Sequence, residues 1–247
     1  MKIIPLSEGA FTIDATKKFV PFNIAKDDLQ QRPVGSLLVE IQPFAVITSK
    51  DIIVINTGLG FNMPDGTLQI HQYLLNNGIG PMEVTKVLLS HLHKDHAAGI
   101  YKTDEILKQK FLSFPNATYY VHTNEMAFAL KKGAPSYRVS DFEGLQNSDQ
   151  VAFLEGDGKI DEYITYQVSG AHSQYHQVFW IEEEGQKVFF GGDVAPQLQQ
   201  MKNKFIAKYD FDGRKCMELR QQWWEQGEKE KWTFLFYHDI KTPVFSF

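Results

Sequence analysis

The chain has almost no cysteine. Cys216 is the single one in 247 residues, which excludes an intrachain disulfide framework and a thiolate zinc cluster. Sitting in a predicted helix, it reads as a small apolar residue. Long apolar runs are also missing: no stretch approaches membrane-spanning length, and Met1 to Glu8 lacks the apolar core and small-residue cleavage site of a secretory leader. A soluble, cytoplasmic protein without a membrane partner is expected. Nor is there a block of like charge. A net charge of −5 spread along the chain argues against a nucleic-acid partner held by phosphate contacts, and leaves a neutral or apolar small molecule as the expected substrate.

What is present suffices for one large core. With 43% hydrophobic residues, residues 1–247 are expected to form a single domain. Residues 1 to 20 read as edge strand and loop, broken by Pro21. Ser36–Ile41, Phe44–Thr48 and Ile52–Ile55 predict an antiparallel meander, and Leu68–Asn77 an amphipathic helix stopped by Gly78. Residues 101–150 alternate: helix at Asp104–Lys110, strand at Thr118–Val121, helix at Asn124–Lys132. The polar stretch 133–150 is a candidate lid. The second half predicts strands at Gln150–Leu154, Tyr163–Val168, Val178–Ile181, Val188–Phe190 and Thr233–Phe236, with Glu183–Gln186 as a hairpin turn. Asp212 is placed to cap a helix through Met217, Leu219, Trp223 and Trp224, followed by the charged stretch Glu225–Lys231. Two β-rich halves with helices between them predict an α+β fold of two facing sheets with helices outside.

The chemistry starts at His91-Leu92-His93-Lys94-Asp95-His96. An apolar run, Lys86–Ser90, precedes it and the small residues Ala97, Ala98 and Gly99 follow, so it belongs at the tip of a buried strand. Imidazole nitrogens and carboxylate oxygens are donors for zinc, iron or manganese, and residues two apart in an extended segment point the same way. His91 and His93 can therefore serve one ion while Asp95 and His96 turn to a second. Three more polar residues close apolar runs: His172 in Ser169–Ser173, Asp193 after Phe189–Gly192, and His238 after the last strand. Together these make five histidines and two aspartates, enough for two ions with a position left for water. His122 and His176 are left as structural or supporting residues, and His71 as a helix-surface residue. Phe19, Phe22, Phe61, Met63, Tyr137 and Phe142 are candidates for an apolar wall.

These motifs resemble the metallo-β-lactamase superfamily over essentially the full length. The resemblance implies an αββα sandwich of two mixed sheets, with His91, His93 and His172 binding a first divalent ion, Asp95, His96 and His238 a second, and Asp193 bridging them. Zinc is the first expectation, manganese or iron the others. The implied activity is hydrolysis: a hydroxide held between the ions attacks an ester, lactone or phosphoester bond, with Asp95 moving the proton to the leaving group. An iron-dependent oxidoreductase on the same scaffold is the alternative, and long apolar faces leave a homodimer open. The ligand spacing and the segment Lys208–Asp212 are similar to the branch of N-acyl homoserine lactonases and methyl parathion hydrolase. Two positions depart from it. Asn56 stands where an aspartate is usual, so no negative charge reaches the neighbouring histidine, and Val194-Ala195-Pro196 replaces a segment that in the lactonases carries a tyrosine to support the substrate carbonyl.

Overall fold

The computed structural model describes residues 1–104 and 107–247. Strand-forming runs in each half assemble into a six-stranded mixed sheet. The first holds, in spatial order, Lys2–Pro5, Phe44–Ile47, Ile52–Ile55, Lys86–Leu88, Thr118–His122 and Val151–Leu154. The second holds Gly158–Ile160, Ile164–Val168, Gln177–Glu183, Gln186–Phe190, Thr233–Leu235 and Val244–Ser246. Ile52–Ile55, Lys86–Leu88, Thr118–His122 and Val151–Leu154 run parallel, as do Gln186–Phe190 and Thr233–Leu235. The parallel strands therefore present their C-terminal ends side by side, the place where an open sheet delivers side chains to a ligand.

The period-two pleat sorts each strand between two apolar layers. Ile53, Ile55 and Leu88 of the first sheet meet Phe179, Ile181, Phe190 and Leu235 of the second in a central core. Val54 and Val87 face the opposite way, onto Ile70 and Leu74 of helix Gln69–Asn76 and Met126 and Ala129 of helix Thr123–Lys132. Val178, Phe189 and Phe234 face outward onto Cys216 and Trp223 of helix Gly213–Glu230. The layers are helix, sheet, sheet, helix, as expected. Asp212 caps the last helix, its Oδ1 accepting from the Lys215 N–H at 2.9 Å.

Several local expectations are corrected. The meander divides after its first strand: Leu37–Ile41 pairs with Gly9–Ile13 in a separate three-stranded sheet, because Gln42-Pro43 breaks the ladder before Phe44–Ile47 joins the main sheet. In place of a helix at 104–110, Tyr101–Asp104 and Gln109–Leu112 form an antiparallel hairpin; residues 105 and 106 of that prediction lie outside the described residues. The charged Glu225–Lys231 stretch does not follow the last helix but forms its end, which runs to Glu230. The stretch 133–150 is no lid beyond Tyr137, since Phe142 and Leu145 are fully buried in the outer core.

His71 is a further correction. It lies on the inner side of its helix with Ile70 and Leu74, its ring edge-on to Phe114 at 5.3 Å. Burial pulls its imidazole down to about 4. A histidine whose folded pKa lies below its unfolded value of about 6.5 contributes fully above that value and loses its contribution as pH falls towards 4. The loss is on the order of 3 kcal/mol. In urea titrations with chelator present, His71→Leu is expected to lose less stability than the parent on this acid limb. Equal losses would assign the limb to other groups.

Candidate metal centre

The central strand Lys86–Leu88 carries the histidine segment to the rim. Leu92 is buried in the outer core, so by alternation His91 and His93 turn inward. The helical turn Lys94–Ala97 follows at once, with the His96 N–H donating to His93 O at 2.9 Å, and turns Asp95 and His96 towards the same space. His172 arrives from the loop after Ile164–Val168, Asp193 from the turn after Gln186–Phe190, and His238 from beyond Thr233–Leu235. All are at least nine-tenths buried except His93 and Asp193, which are partly exposed.

These residues converge in two groups. One contains His91, His93, His172 and Asp193, the other Asp95, His96, Asp193 and His238, and in each the donor atoms lie within 4.8 Å of one another. In the first, His93 Nδ1 is 2.9 Å from His91 Nε2 and 3.2 Å from His172 Nε2. Asp193 belongs to both: its Oδ2 is 3.2 Å from His172 Nε2, while its Oδ1 is 3.0 Å from His96 Nε2 and 3.1 Å from His238 Nε2. Asp95 Oδ2 lies 3.6 Å from His96 Nε2 and 3.7 Å from His238 Nε2.

A test of fit for divalent ions rests on these atoms. His96 Nε2 and Asp193 Oδ1 are buried side by side without a well-aligned hydrogen bond to either, a cost that coordination would remove. Burial, reinforced by neighbouring histidines, holds His91 and His93 well below the usual imidazole range, leaving neutral rings with lone pairs to offer. Burial opposes the charge on Asp193, but His96, His238 and His172 overcome it and hold its carboxyl well below the usual range. Burial works against a proton on His172 and His238 too, but Asp193 outweighs it and raises both, so an ion would displace their protons. The resulting imidazole lone pairs around ionised oxygens are the donor set that zinc, manganese or iron accepts.

A surrounding layer of partners aims the donors. His172 Nδ1 is 2.8 Å from Asp210 Oδ1, His238 Nδ1 is 2.7 Å from Glu40 O, and His91 Nδ1 is 3.1 Å from Ser90 Oγ. His96 Nδ1 instead meets Asn56 Nδ2 at 2.8 Å. His176, a supporting residue as expected, accepts from the Asp193 N–H through Nε2 at 3.2 Å. That approach requires Gly192, whose φ is +50° and whose Cβ, if present, would lie 2.5 Å from the ring. His122 accepts from the Asn124 N–H and so caps helix Thr123–Lys132.

Three supporting residues escape sequence reasoning. Glu125, fully buried and pushed by burial to about 7, accepts from the Leu92 N–H at 3.0 Å between the two leading histidines. Glu8, also pushed by burial to about 7, accepts from the N–H groups of Leu59, Gly60 and Phe61 and fixes the loop after Asn56. Tyr237 stacks on His96 at 4.1 Å and donates to Asp95 O at 2.5 Å. The only available signal was a charged or phenolic side chain inside an otherwise apolar stretch. Asp210 lies in Lys208–Asp212, the segment similar to the lactonase branch. Because an outer carboxylate fixes the orientation of a ligand histidine, Asp210→Ala is expected to weaken metal binding roughly ten- to hundredfold. Competition with a chromophoric chelator measures this, and unchanged affinity would deny Asp210 that role.

The two groups floor a cavity of about 660 Å³, within the range of roughly 300–1,000 Å³ typical of small-molecule sites. Phe19 and Tyr137 line it as expected, joined by Ile13, Leu37, Leu38, Val39, Phe128 and Phe211. Phe22 and Phe61 face a different hollow, Phe142 is core, and Met63 is not part of the lining.

A helix–sheet–sheet–helix sandwich with paired histidine–aspartate groups at the strand ends defines a metal-site scaffold of one architecture. The family model described as metallo-beta-lactamase superfamily matches residues 39–233, and the chain belongs to that superfamily; it is an enzyme. A probable metal-dependent hydrolase from Staphylococcus aureus superposes with a TM-score of 0.78 at 22% identity, over 99% of this chain and 91% of that one. The hydrolase AbOPH, described as in the beta lactamase superfamily, gives 0.74 at 21% identity over 99% and 89%. AidC, a dizinc quorum-quenching lactonase solved with its product N-hexanoyl-L-homoserine, gives 0.70 at 19% identity over 98% and 88%. No curated protein matches the chain. Among the described residues, no helix is long and apolar enough to cross a membrane.

Proposed function

We propose that the chain is a binuclear metal-dependent hydrolase acting on an ester, lactone or phosphoester bond of a small molecule. The observation that carries this reading is Asp193, whose two carboxylate oxygens each face a different donor group. His91, His93 and His172 would hold one ion, Asp95, His96 and His238 the other, with Asp193 shared. When bound, the ions would supply Lewis-acid polarisation of the scissile group and acidify water towards neutral pH.

The chain's own residues do the rest. Asp95 lines the cavity floor and is placed to take a proton and pass it to the leaving oxygen, while Tyr237 fixes its main chain from behind. The apolar wall of Ile13, Phe19, Leu38, Phe128 and Phe211 excludes water and orients the organic part of the substrate. The lactonase tyrosine is absent after Asp193, but two phenols approach from other elements. Tyr137 stands 4.7 Å from His93 and Tyr209 6.3 Å from His172, ring to ring. The Tyr137 hydroxyl is buried, so Tyr209, more exposed on the cavity lining, is the phenol that would orient the substrate carbonyl. The free thiol of Cys216 suits a reducing, cytoplasmic setting.

The test pairs elemental analysis of the purified protein with a panel of lactone, aryl ester, phosphotriester and phosphodiester. About two equivalents of zinc or manganese with turnover of one member is the expected result. Iron alone, with no hydrolysis, would replace this reading with an oxidoreductase.

A further inference from the structure

In an acidic chain, cations with carboxylates nearby are usually paired. Lys86 follows that rule, 2.7 Å from Asp51 and 2.9 Å from Asp161, and Lys187 reaches both Glu182 and Glu230. Four lysines line the cavity above the metal centre: Lys17, Lys94, Lys132 and Lys208. Among the described residues, none of the four has a carboxylate oxygen within 4.0 Å of its ammonium.

Their surroundings leave the charge available. Lys94 donates to Lys17 O and lies over the Phe19 ring at 5.6 Å, and Lys17 lies over the Tyr209 ring at 5.8 Å. These contacts order an ammonium without neutralising it. The one rim acid, Asp14, accepts from the N–H and Oγ1 of Thr16 at 2.8 and 2.6 Å. The floor acids Asp95, Asp193 and Asp210 face the histidines of the metal centre. A cleft lined by unpaired charge of one sign with low-dielectric walls concentrates ligands of the opposite sign.

We propose that the substrate is an amphiphilic anion: its apolar body lies along Ile13, Phe19, Leu38 and Phe128, and a carboxylate or phosphate remote from the scissile bond is held by Lys17, Lys132 and Lys208. This rests on the hydrolase reading of the same site, and it replaces the neutral substrate expected from overall charge. Net charge is a sum over the surface, whereas recognition depends on which charges face the cavity.

The test compares three aryl esters of similar length on zinc-loaded protein: 4-nitrophenyl pentanoate, 4-nitrophenyl hydrogen glutarate, and a 4-nitrophenyl butanoate bearing a terminal phosphate. At low ionic strength at least one anionic ester is expected to exceed the neutral one about tenfold in kcat/KM, and the advantage should shrink in about 0.3 M salt. Which anion leads distinguishes carboxylate from phosphate. In the triple variant Lys17→Met, Lys132→Met, Lys208→Met the ratio should approach one. A neutral ester that is equal or better at low salt overturns the proposal, as does a preference that survives in the triple variant, which would assign it to the metal centre. Calorimetric binding of glutaric acid monoanilide and pentananilide separates the two readings. Tighter binding of the charged anilide without cleavage of any ester would leave the anion site standing and remove the hydrolase, and equal binding of the two would remove the anion site.

Discussion

Asp193→Asn is expected to leave the protein folded but unable to keep two ions, and to lower turnover of any panel substrate by at least about a thousandfold, on the order of 4 kcal/mol. The reason is geometric. One carboxylate presents Oδ2 to His172 and Oδ1 to His96 and His238. An amide keeps one of those oxygens, removes the negative charge, and turns an N–H₂ on the other group. Metal stoichiometry is the primary readout, because it responds whichever substrate is chosen. Retention of two equivalents with parental affinity would show that Asp193 does not join the two groups, and the binuclear reading would fall with it. The fold should survive, since the Asp193 main chain is held independently by His176.

The second large effect is a gain. Asn56→Asp is expected to tighten binding at the group containing His96 by roughly ten- to hundredfold. Asn56 is fully buried, and its Oδ1 is already committed to the Ser90 N–H at 2.9 Å, so its Nδ2 is the atom facing His96 Nδ1 at 2.8 Å. A donor there makes Nδ1 the acceptor and leaves the ring hydrogen on Nε2, the atom turned towards Asp193. The other ligand histidines with a carboxylate or carbonyl behind them, His172 and His238, are oriented the opposite way. An aspartate would accept from the Ser90 N–H and from His96 Nδ1–H together, freeing Nε2. It also tolerates the positive φ of 57° at this position. Stepwise titration with zinc should then show the weaker of two binding steps strengthened in the variant while the stronger is unchanged. Two indistinguishable titrations would show that the amide costs the centre nothing.

Much of the site was legible because its donors are strand-end residues. A histidine or aspartate just past a buried apolar run, as at Ser90-His91, Gly192-Asp193 and Tyr237-His238, stands out from sequence, and the structure brings all seven named residues to one rim. The supporting residues were not legible. Glu8 holds residues 59–61, Glu125 holds Leu92, and Asp210 meets His172; none has a spacing that relates it to its partner. Tyr101–Asp104 and Gln109–Leu112 pair as strands although a short segment with a few apolar residues satisfies the helical period as well as the strand period, because pairing decides between them. His71 was misread for a related reason: a polar residue on an amphipathic helix is assigned outward, and only the approach of Phe114 from a distant segment encloses it.

The amino-acid order alone determined the alternating faces of the strands, the capped last helix and the identity of the donors, because each depends on neighbours a few positions away. Tertiary structure decided which strands share a sheet, where Pro43 splits the meander, how Asp193 divides its oxygens between two groups, and that unpaired lysines from four separate segments face one cavity in an acidic protein. Those are contacts between residues far apart in the chain, and local periodicity and charge carry no record of them until the two sheets pack.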